Sequence, residues 1–336
     1  MRILVLGGTR FIGSYVVSQL AQQGHELYVF HRGETNQNIP QSIHHIYGDR
    51  YKLGEYRKEF ETIKPDVVLD MLPLTEEDAL LVSKTFQGIA KRVVAISSAD
   101  VYQTFGRLTG FESGQIVETP TSEDGPLRTK LYPFRAHFQQ GNIMYDYDKI
   151  LVEKAFISNS DLPATILRLP MVHGPFDRQY RPYQYLKRMI DKRPYILLDE
   201  KIANWQTCRG YVENVAHAIV LAITNEKATN RIYNVAENEA YTELQWVHYI
   251  SEAYGKWSGE IIIVKEGLLQ VDINPEQDLT LSSDKIRNEL GFHEIVSIEK
   301  GLENTIDWEL VNPLDNLNAA DYDYELEDKI YQSIIK

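Results

Sequence analysis

Arg2-Ile3-Leu4-Val5-Leu6-Gly7-Gly8-Thr9-Arg10-Phe11-Ile12-Gly13 is the stretch whose reading decides the fold. An apolar run of strand character stops at two glycines, a third follows at Gly13, and Val16, Val17 and Leu20 continue with helical spacing. Glycine is needed where the backbone turns tightly and must come close to a bound group. Free N–H groups at the start of the following helix then stabilise a pyrophosphate. Strand, glycine loop and helix in that order predict a dinucleotide cradle made of Gly7, Gly8, Thr9, Arg10, Phe11, Ile12 and Gly13.

Working outward, β-branched runs at 27–30, 43–47, 67–70, 93–96 and 166–169 alternate with helical segments, the pattern of a parallel sheet with crossover helices. The expected fold is α/β: a doubly wound parallel Rossmann sheet over 1–170 with a return near 210–235. A smaller, mixed α/β substrate lobe is interleaved with it over 171–312, with short strands at 195–198, 231–235 and 261–264. An acidic tail over 313–336 ends in a helix over 321–335. The polar stretch 103–141 is too long for an ordinary connection and is read as a substrate-side loop.

The end of the second strand should choose the cofactor, because an acid there binds the ribose 2′-hydroxyl of NAD and an arginine suits the 2′-phosphate of NADP. The sequence reads Phe30-His31-Arg32-Gly33, without an acid, and Arg10 adds a second guanidinium from the glycine loop. NADP is therefore expected, with NAD as the alternative. Asp49 and Arg50 close the third strand, where Asp49 would accept a hydrogen bond from the adenine amino group. Pro170 ends the sixth strand beside the nicotinamide.

Ser98 closes the fifth strand, and Tyr145 and Lys149 are four residues apart in a segment expected to open a helix, which would put them on one face. A tyrosine is a poor base near neutral pH, and a neighbouring ammonium favours its phenolate. A serine hydroxyl can then hold a substrate oxygen while a hydride moves. Tyr183 and Lys187 repeat the spacing, but only Tyr145 follows the serine-bearing strand.

Together with Ile96-Ser97-Ser98-Ala99-Asp100-Val101-Tyr102, Leu167-Arg168-Leu169-Pro170-Met171-Val172-His173-Gly174-Pro175 and Arg209-Gly210-Tyr211-Val212-Glu213-Asn214-Val215-Ala216, these motifs resemble the NAD-dependent epimerase/dehydratase family of extended and atypical short-chain dehydrogenases/reductases. The resemblance runs almost to Trp308. It implies Ser98 as the donor to the substrate oxygen, Tyr145 as acid/base, and Lys149 as tyrosine activator and nicotinamide-ribose ligand. It also implies a homodimer through helices near 76–89 and 145–159. The glycine loop is similar to that of a branch that includes the chloroplast stem-loop-binding proteins. Sugar-nucleotide 4,6-dehydratases carry an acidic pair where this chain has Ala99 and Asp100, which disfavours that dehydration. Met171 replaces the asparagine by which many epimerases hold their substrate.

A net charge of −13 makes nucleic acid a poor partner. Within it lies a basic island, Arg178, Arg181, Lys187, Arg188, Lys192 and Arg193. That island and Arg209 are candidate holds for an anionic or sugar-like small molecule, Asp100 and Met171 being the other substrate candidates. A solvated helix face is the competing reading of the island. One cysteine, Cys208, and no secretory signal favour a cytoplasmic setting. No apolar run approaches the roughly 20 residues of a membrane span, and no metal site is expected. The expected activity is NAD(P)-dependent hydride transfer at a polar, sugar-like carbonyl or alcohol, by a reductase, a dehydrogenase or an epimerase. The alternatives are a silent NADP sensor and an RNA stem-loop binder, which the intact Ser98, Tyr145 and Lys149 and the acidic charge oppose.

Overall fold

In the computed structural model, which describes residues 1–35, 39–314 and 322–335, a strand rich in β-branched residues repeatedly feeds a helix that folds back over the sheet. The first part of the chain runs β1 (Arg2–Leu6), α1 (Phe11–Gln22), β2 (Glu26–His31), β3 (His44–Tyr47), α2 (Arg57–Ile63), β4 (Val67–Asp70), α3 (Glu76–Phe86), β5 (Arg92–Ser98), α4 (Gln103–Leu108), α5 (Lys149–Ile157) and β6 (Ala164–Leu169). It continues through β7 (Met171–His173), α6 (Tyr183–Ile190), β8 (Tyr195–Asp199), α7 (Glu200–Asn204), β9 (Gln206–Thr207), β10 (Arg209–Tyr211), α8 (Val212–Thr224) and β11 (Ile232–Asn234). The remainder is β12 (Tyr241–Thr242), α9 (Glu243–Tyr254), β13 (Glu260–Val264), α10 (Asp284–Leu290), α11 (Ile298–Val311) and α12 (Tyr324–Ile334).

The central sheet has 7 strands in the order β11-β6-β5-β4-β1-β2-β3, and every pairing in it is parallel. The order reverses between β1 and β4, which opens a crevice at their carboxyl ends. Both faces are covered, so alternate residues of one strand enter different cores. Ile3 and Val5 pack with Val16, Leu20, Val215 and Ile219 under α1 and α8. Leu4 and Leu6 pack with Phe60, Val82, Phe86 and Phe156 under α2, α3 and α5. β11 comes from beyond the sixth strand to pair with β6, so the chain re-enters the sheet after beginning the second lobe.

The smaller lobe has its own core of Leu186, Met189, Ile196, Leu198, Trp246, Ile250, Leu302 and Ile306. The expected substrate-side loop proves to be tightly bonded. Its first residues form α4, and the Glu112 carboxylate accepts hydrogen bonds from Thr129 and Lys130. Glu123 and Thr121 are tied to Asn234 on β11. No helix among the described residues is long and apolar enough to cross a membrane.

Part of the basic island is neutralised within the chain, two of its arginines by the acidic C-terminal segment. Arg188 donates to Glu327 at 2.9 and 2.5 Å, Arg193 pairs with Asp328, and Lys187 pairs with Asp191. Tyr195 stacks on Tyr331 with centroids 4.1 Å apart, and Ile330 is buried. Opposite charge within the chain thus engages three cations of the island, Arg188 and Arg193 holding α12 in place and Lys187 pairing within its own segment, whereas Arg178 is exposed. Asp321, where that helix was expected to begin, lies outside the described residues, and the helix starts at Tyr324.

Removing Arg188 would leave Glu327 partly buried without its donor. Arg188→Ala should cost about 1.5–3 kcal/mol of stability, the scale of a charge-assisted hydrogen bond, measured by denaturant unfolding. An unchanged midpoint would show that α12 is held by its apolar contacts alone.

Candidate active site

The glycine loop owes its shape to two close approaches. A Cβ on Gly13 would lie 2.4 Å from the Gly8 Cα, and Gly8 itself has φ +84°, where a side chain is strained. With the loop drawn tight, α1 points its N-terminus into a cleft of about 470 Å³. Gly7, Gly8, Thr9, Arg10, Phe11, Ile12 and Gly13 line one side; His31, Arg32, Glu34, Thr35, Asp49 and Arg50 line another. The Thr9 and Thr35 hydroxyls, 2.8 Å apart, tie the two loops together. Met71, Leu72 and Leu74 complete the wall. The donor-rich loop, helix terminus and apolar wall fit a dinucleotide.

Three expected ligands have partners within the chain. Arg50 donates two hydrogen bonds of 3.2 Å to the buried Asp70 and lies 3.4 Å from Asp78. It therefore fixes the end of β4 against α3 while its side chain borders the cleft. Asp49 accepts from the Tyr51 N–H at 3.0 Å. Arg32 is exposed and paired with Glu34 at 2.9 Å. Glu34 was not singled out from the sequence, because it falls beyond the usual position of the ribose-binding acid.

Ser98 ends β5, and its Oγ accepts from the Asp100 N–H at 3.2 Å. Lys149 is buried, and its Nζ donates to the carbonyl oxygens of Pro73 at 2.7 Å and Ile96 at 2.9 Å. Pro73 lies between two cleft-lining residues, so the ammonium joins the cleft wall to β5. Burial pushes the Lys149 ammonium down to about 8, opposed by Asp100 and Asp70.

The helical geometry expected for Tyr145 is absent. Tyr145 ends a separate 3-10 turn, Ile143–Tyr145, and α5 begins only at Lys149. The physical reason is Asp148, fully buried, which caps α5 by accepting from the Ile150 N–H at 2.9 Å and also accepts from the Tyr132 N–H at 2.6 Å. Tyr145 is half-buried with the Arg135 guanidinium 4.7 Å from its ring centre. The phenol beside Ser98 belongs to Tyr147, which donates to Asp100 Oδ2 at 2.6 Å and has Lys149 Nζ 5.7 Å from its ring centre. Burial, then Asp100, raises the Tyr147 phenol well above its ordinary value; burial likewise raises Asp100. Asp100 Oδ1 is buried without a hydrogen-bond partner. A Tyr-x-Lys spacing carries no helical signal, so Tyr147 was invisible until the cap was located.

The remaining substrate candidates are scattered. Pro170 and Met171 are half-buried at the end of β6 and start of β7, with Thr207 Oγ1 3.5 Å from the Met171 sulfur. Arg178 is exposed. Arg181 donates to the Val172 carbonyl at 3.0 Å, and Arg209 is buried, paired with Glu243 and stacked 4.2 Å from the Trp246 ring centre. Arg181 and Arg209 thus belong to the interior of the smaller lobe, near Asp177, His173 and Glu309. The structure does not place either on the nucleotide cleft. A second, acidic hollow of about 780 Å³ shares Tyr51, Asp78 and Ile143 with the cleft and is lined by Glu76, Glu77 and Asp146.

Residues 3–236 match the model of the NAD dependent epimerase/dehydratase family. The chain belongs to this family. It is therefore an enzyme of the NAD-dependent oxidoreductase type with a nucleotide-binding Rossmann fold. Among curated relatives, the 41 kDa chloroplast stem-loop binding protein b of Arabidopsis thaliana is 24% identical, over 72% of this chain and 60% of that protein. The 2′-dehydrokanamycin reductase of Streptomyces kanamyceticus is 22% identical, over 76% of this chain and 67% of that one. The UDP-glucose 4-epimerase of Thermotoga maritima, solved with UDP-glucose, shares the fold with a TM-score of 0.67 at 20% identity, covering 93% of this chain and 99% of that one.

Glu309 gives a test of the smaller lobe. It is fully buried with both carboxyl oxygens unpartnered, and burial, with Asp177 nearby, pushes it up to about 8. The folded chain then keeps this proton over a range where the unfolded chain has lost it, so stability falls as pH rises from the ordinary carboxylate range towards about 8. Glu309→Gln should raise the melting temperature near pH 9 and leave it unchanged near pH 4. An equal effect at both ends would mean that the carboxyl is ionised in the fold.

Proposed function

We propose that this enzyme is an NADP-preferring reductase or dehydrogenase that acts on a polar, sugar-like carbonyl or alcohol. The observation that carries the reading is the cluster of Ser98, Asp100, Tyr147 and Lys149 at the carboxyl end of β5, joined through Pro73 to the nucleotide cleft. Bound nicotinamide would supply or accept the hydride. Ser98 Oγ would hold the reacting oxygen. A phenol kept neutral by burial and Asp100 suits delivery of a proton to an oxygen whose carbon receives hydride. Lys149, close to losing its own proton, would help restore the phenol. The reductase relative supports net reduction, whereas the epimerase neighbour keeps oxidation and re-reduction as the second reading. The basic island adds little support for an anionic substrate, because Arg188 and Arg193 are engaged by α12 and Lys187 by Asp191, which leaves Arg178 as its exposed arginine. A homodimer through α3 and α5 is part of the proposal, with Leu80 and Ile157 exposed on those helices.

The cofactor preference rests on Arg10 and Arg32 beside the ribose end of the cleft and on a strand end without an acid. Calorimetric titration should show tighter binding of NADP than of NAD, and Arg32→Ala should narrow the difference. Glu34→Gln, which releases Arg32, should widen it. Equal affinities in the unmutated protein would overturn the preference.

The proton donor is tested with paired variants. A positioned acid/base group is worth about 10²–10⁴ in rate. If Tyr147 has that role, Tyr147→Phe should lose turnover on this scale in a carbonyl-reduction assay while retaining cofactor affinity, and Tyr145→Phe should lose little. The reverse pattern would assign the proton to Tyr145.

A further inference from the structure

The carboxyl end of β2 carries a second feature that the cofactor reading does not use. His31 Nε2 and His45 Nδ1 are 2.8 Å apart, and the two rings meet at 63°. Both lie on one face of the sheet edge, because His45 is in register with Val29 and His31 with Tyr47 on parallel strands. The Gly33 N–H, 3.2 Å from His31 Nδ1, settles the proton positions. A backbone N–H can only donate, so Nδ1 is an acceptor and neutral His31 carries its proton on Nε2. That proton is donated to His45 Nδ1, which leaves the proton of His45 on its own Nε2.

We propose that His45 is a cofactor-specificity residue: by accepting this hydrogen bond it lets His31 take up a proton when the adenine ribose carries a 2′-phosphate, and so favours NADP over NAD. The inference rests on the NADP preference proposed above. An added proton on His31 goes to Nδ1 and displaces the Gly33 N–H, so His31, which lines the cleft, gains a positive charge and a second donor. Nε2 keeps its hydrogen bond to His45, which stabilises the charged ring. His45 is thus a positioning residue that acts through His31.

The surrounding charges explain why the ligand is needed. Arg10 on the glycine loop and Arg32 on the loop after β2 oppose a further positive charge; Glu34 on that loop and Asp49 after β3 favour it. Partial burial lowers the affinity of His31 for a proton, as would a positive charge on His45 in place of its neutral, accepting form, and the exposed Tyr47 packs on both rings. Arg32 is engaged with Glu34, and Asp49 with the Tyr51 N–H. A 2′-phosphate dianion adds negative charge where the unliganded site has little to spare, whereas a 2′-hydroxyl adds none.

The experiment is calorimetric titration of the full chain with NADP⁺ and NAD⁺ near pH 6 and near pH 8, in two buffers of different ionisation heat, which counts protons taken up on binding. Titration of the phosphate itself is common to all variants and cancels in comparisons between them. We expect more proton uptake with NADP⁺ near pH 6 in the unmutated chain than in His45→Phe. Towards pH 8 the NADP-to-NAD affinity ratio should fall about 3- to 10-fold further in the unmutated chain than in the variant. His45→Gln, which keeps an acceptor, should restore part of both effects. His45 is exposed, so these variants leave the core intact. If NADP is preferred but ratio and proton count are the same in the unmutated chain and His45→Phe, this inference is overturned while the preference stands. If NAD binds at least as tightly as NADP at both pH values, the preference itself fails and the inference falls with it.

Discussion

Arg168 and Glu153 meet inside the protein, and the placement of the candidate site depends on them. Arg168 on β6 donates through Nε at 2.9 Å and Nη2 at 2.7 Å to the two carboxylate oxygens of Glu153 on α5. Both residues are buried, and the Ser97 hydroxyl adds a hydrogen bond of 2.5 Å to the same carboxylate. Burying two charges is costly, and the cost is offset only by close, fully bonded geometry. Arg168 also bonds the Tyr102 hydroxyl, which bonds Asn234 on β11. One guanidinium therefore gathers α5, β5, β6 and β11 at the carboxyl end of the sheet.

With Glu153 held there, the first turn of α5 has little freedom. Lys149, one helical turn earlier, is brought under β5 to reach the Ile96 carbonyl. Asp148 cannot continue the helix, since its carboxylate is already committed as cap and as acceptor for Tyr132. Asp148 itself is extended and follows a separate 3-10 turn, and in this arrangement Tyr147 turns inward to Asp100 while Tyr145 lies beside Arg135. The identity of the inward phenol is thus a consequence of a helix cap and a buried ion pair acting together.

Charge follows a comparable logic at larger scale. The acidic chain contains one basic segment, and the folded protein satisfies much of it internally through α12 and Asp191. The cations of Arg181 and Arg209 are desolvated within the smaller lobe, where Glu309 and Asp177 are raised by burial. The cleft keeps Arg10 and the Arg32–Glu34 pair in its wall, and the adjoining hollow is lined by acidic residues.

Local pattern by itself determined the β1–loop–α1 cradle, the parallel sheet and the position of Ser98 at the end of β5. Glycine placement and hydrophobic periodicity act within a few residues, so they can be read without knowing what packs where. Tertiary structure alone decided what required distant partners. Arg50 turned towards Asp70, Arg209 towards Glu243 and Arg188 towards Glu327, because an arginine in a sequence does not reveal which acid the fold will bring to it. Likewise the spacing of Tyr145 and Lys149 implied one helical face only if a helix spanned both, and the N-cap at Asp148 starts that helix at Lys149, after Tyr145. Strand and loop identity are set by local backbone preference, whereas the ownership of charges and the inward phenol are set by contacts between segments far apart in the chain.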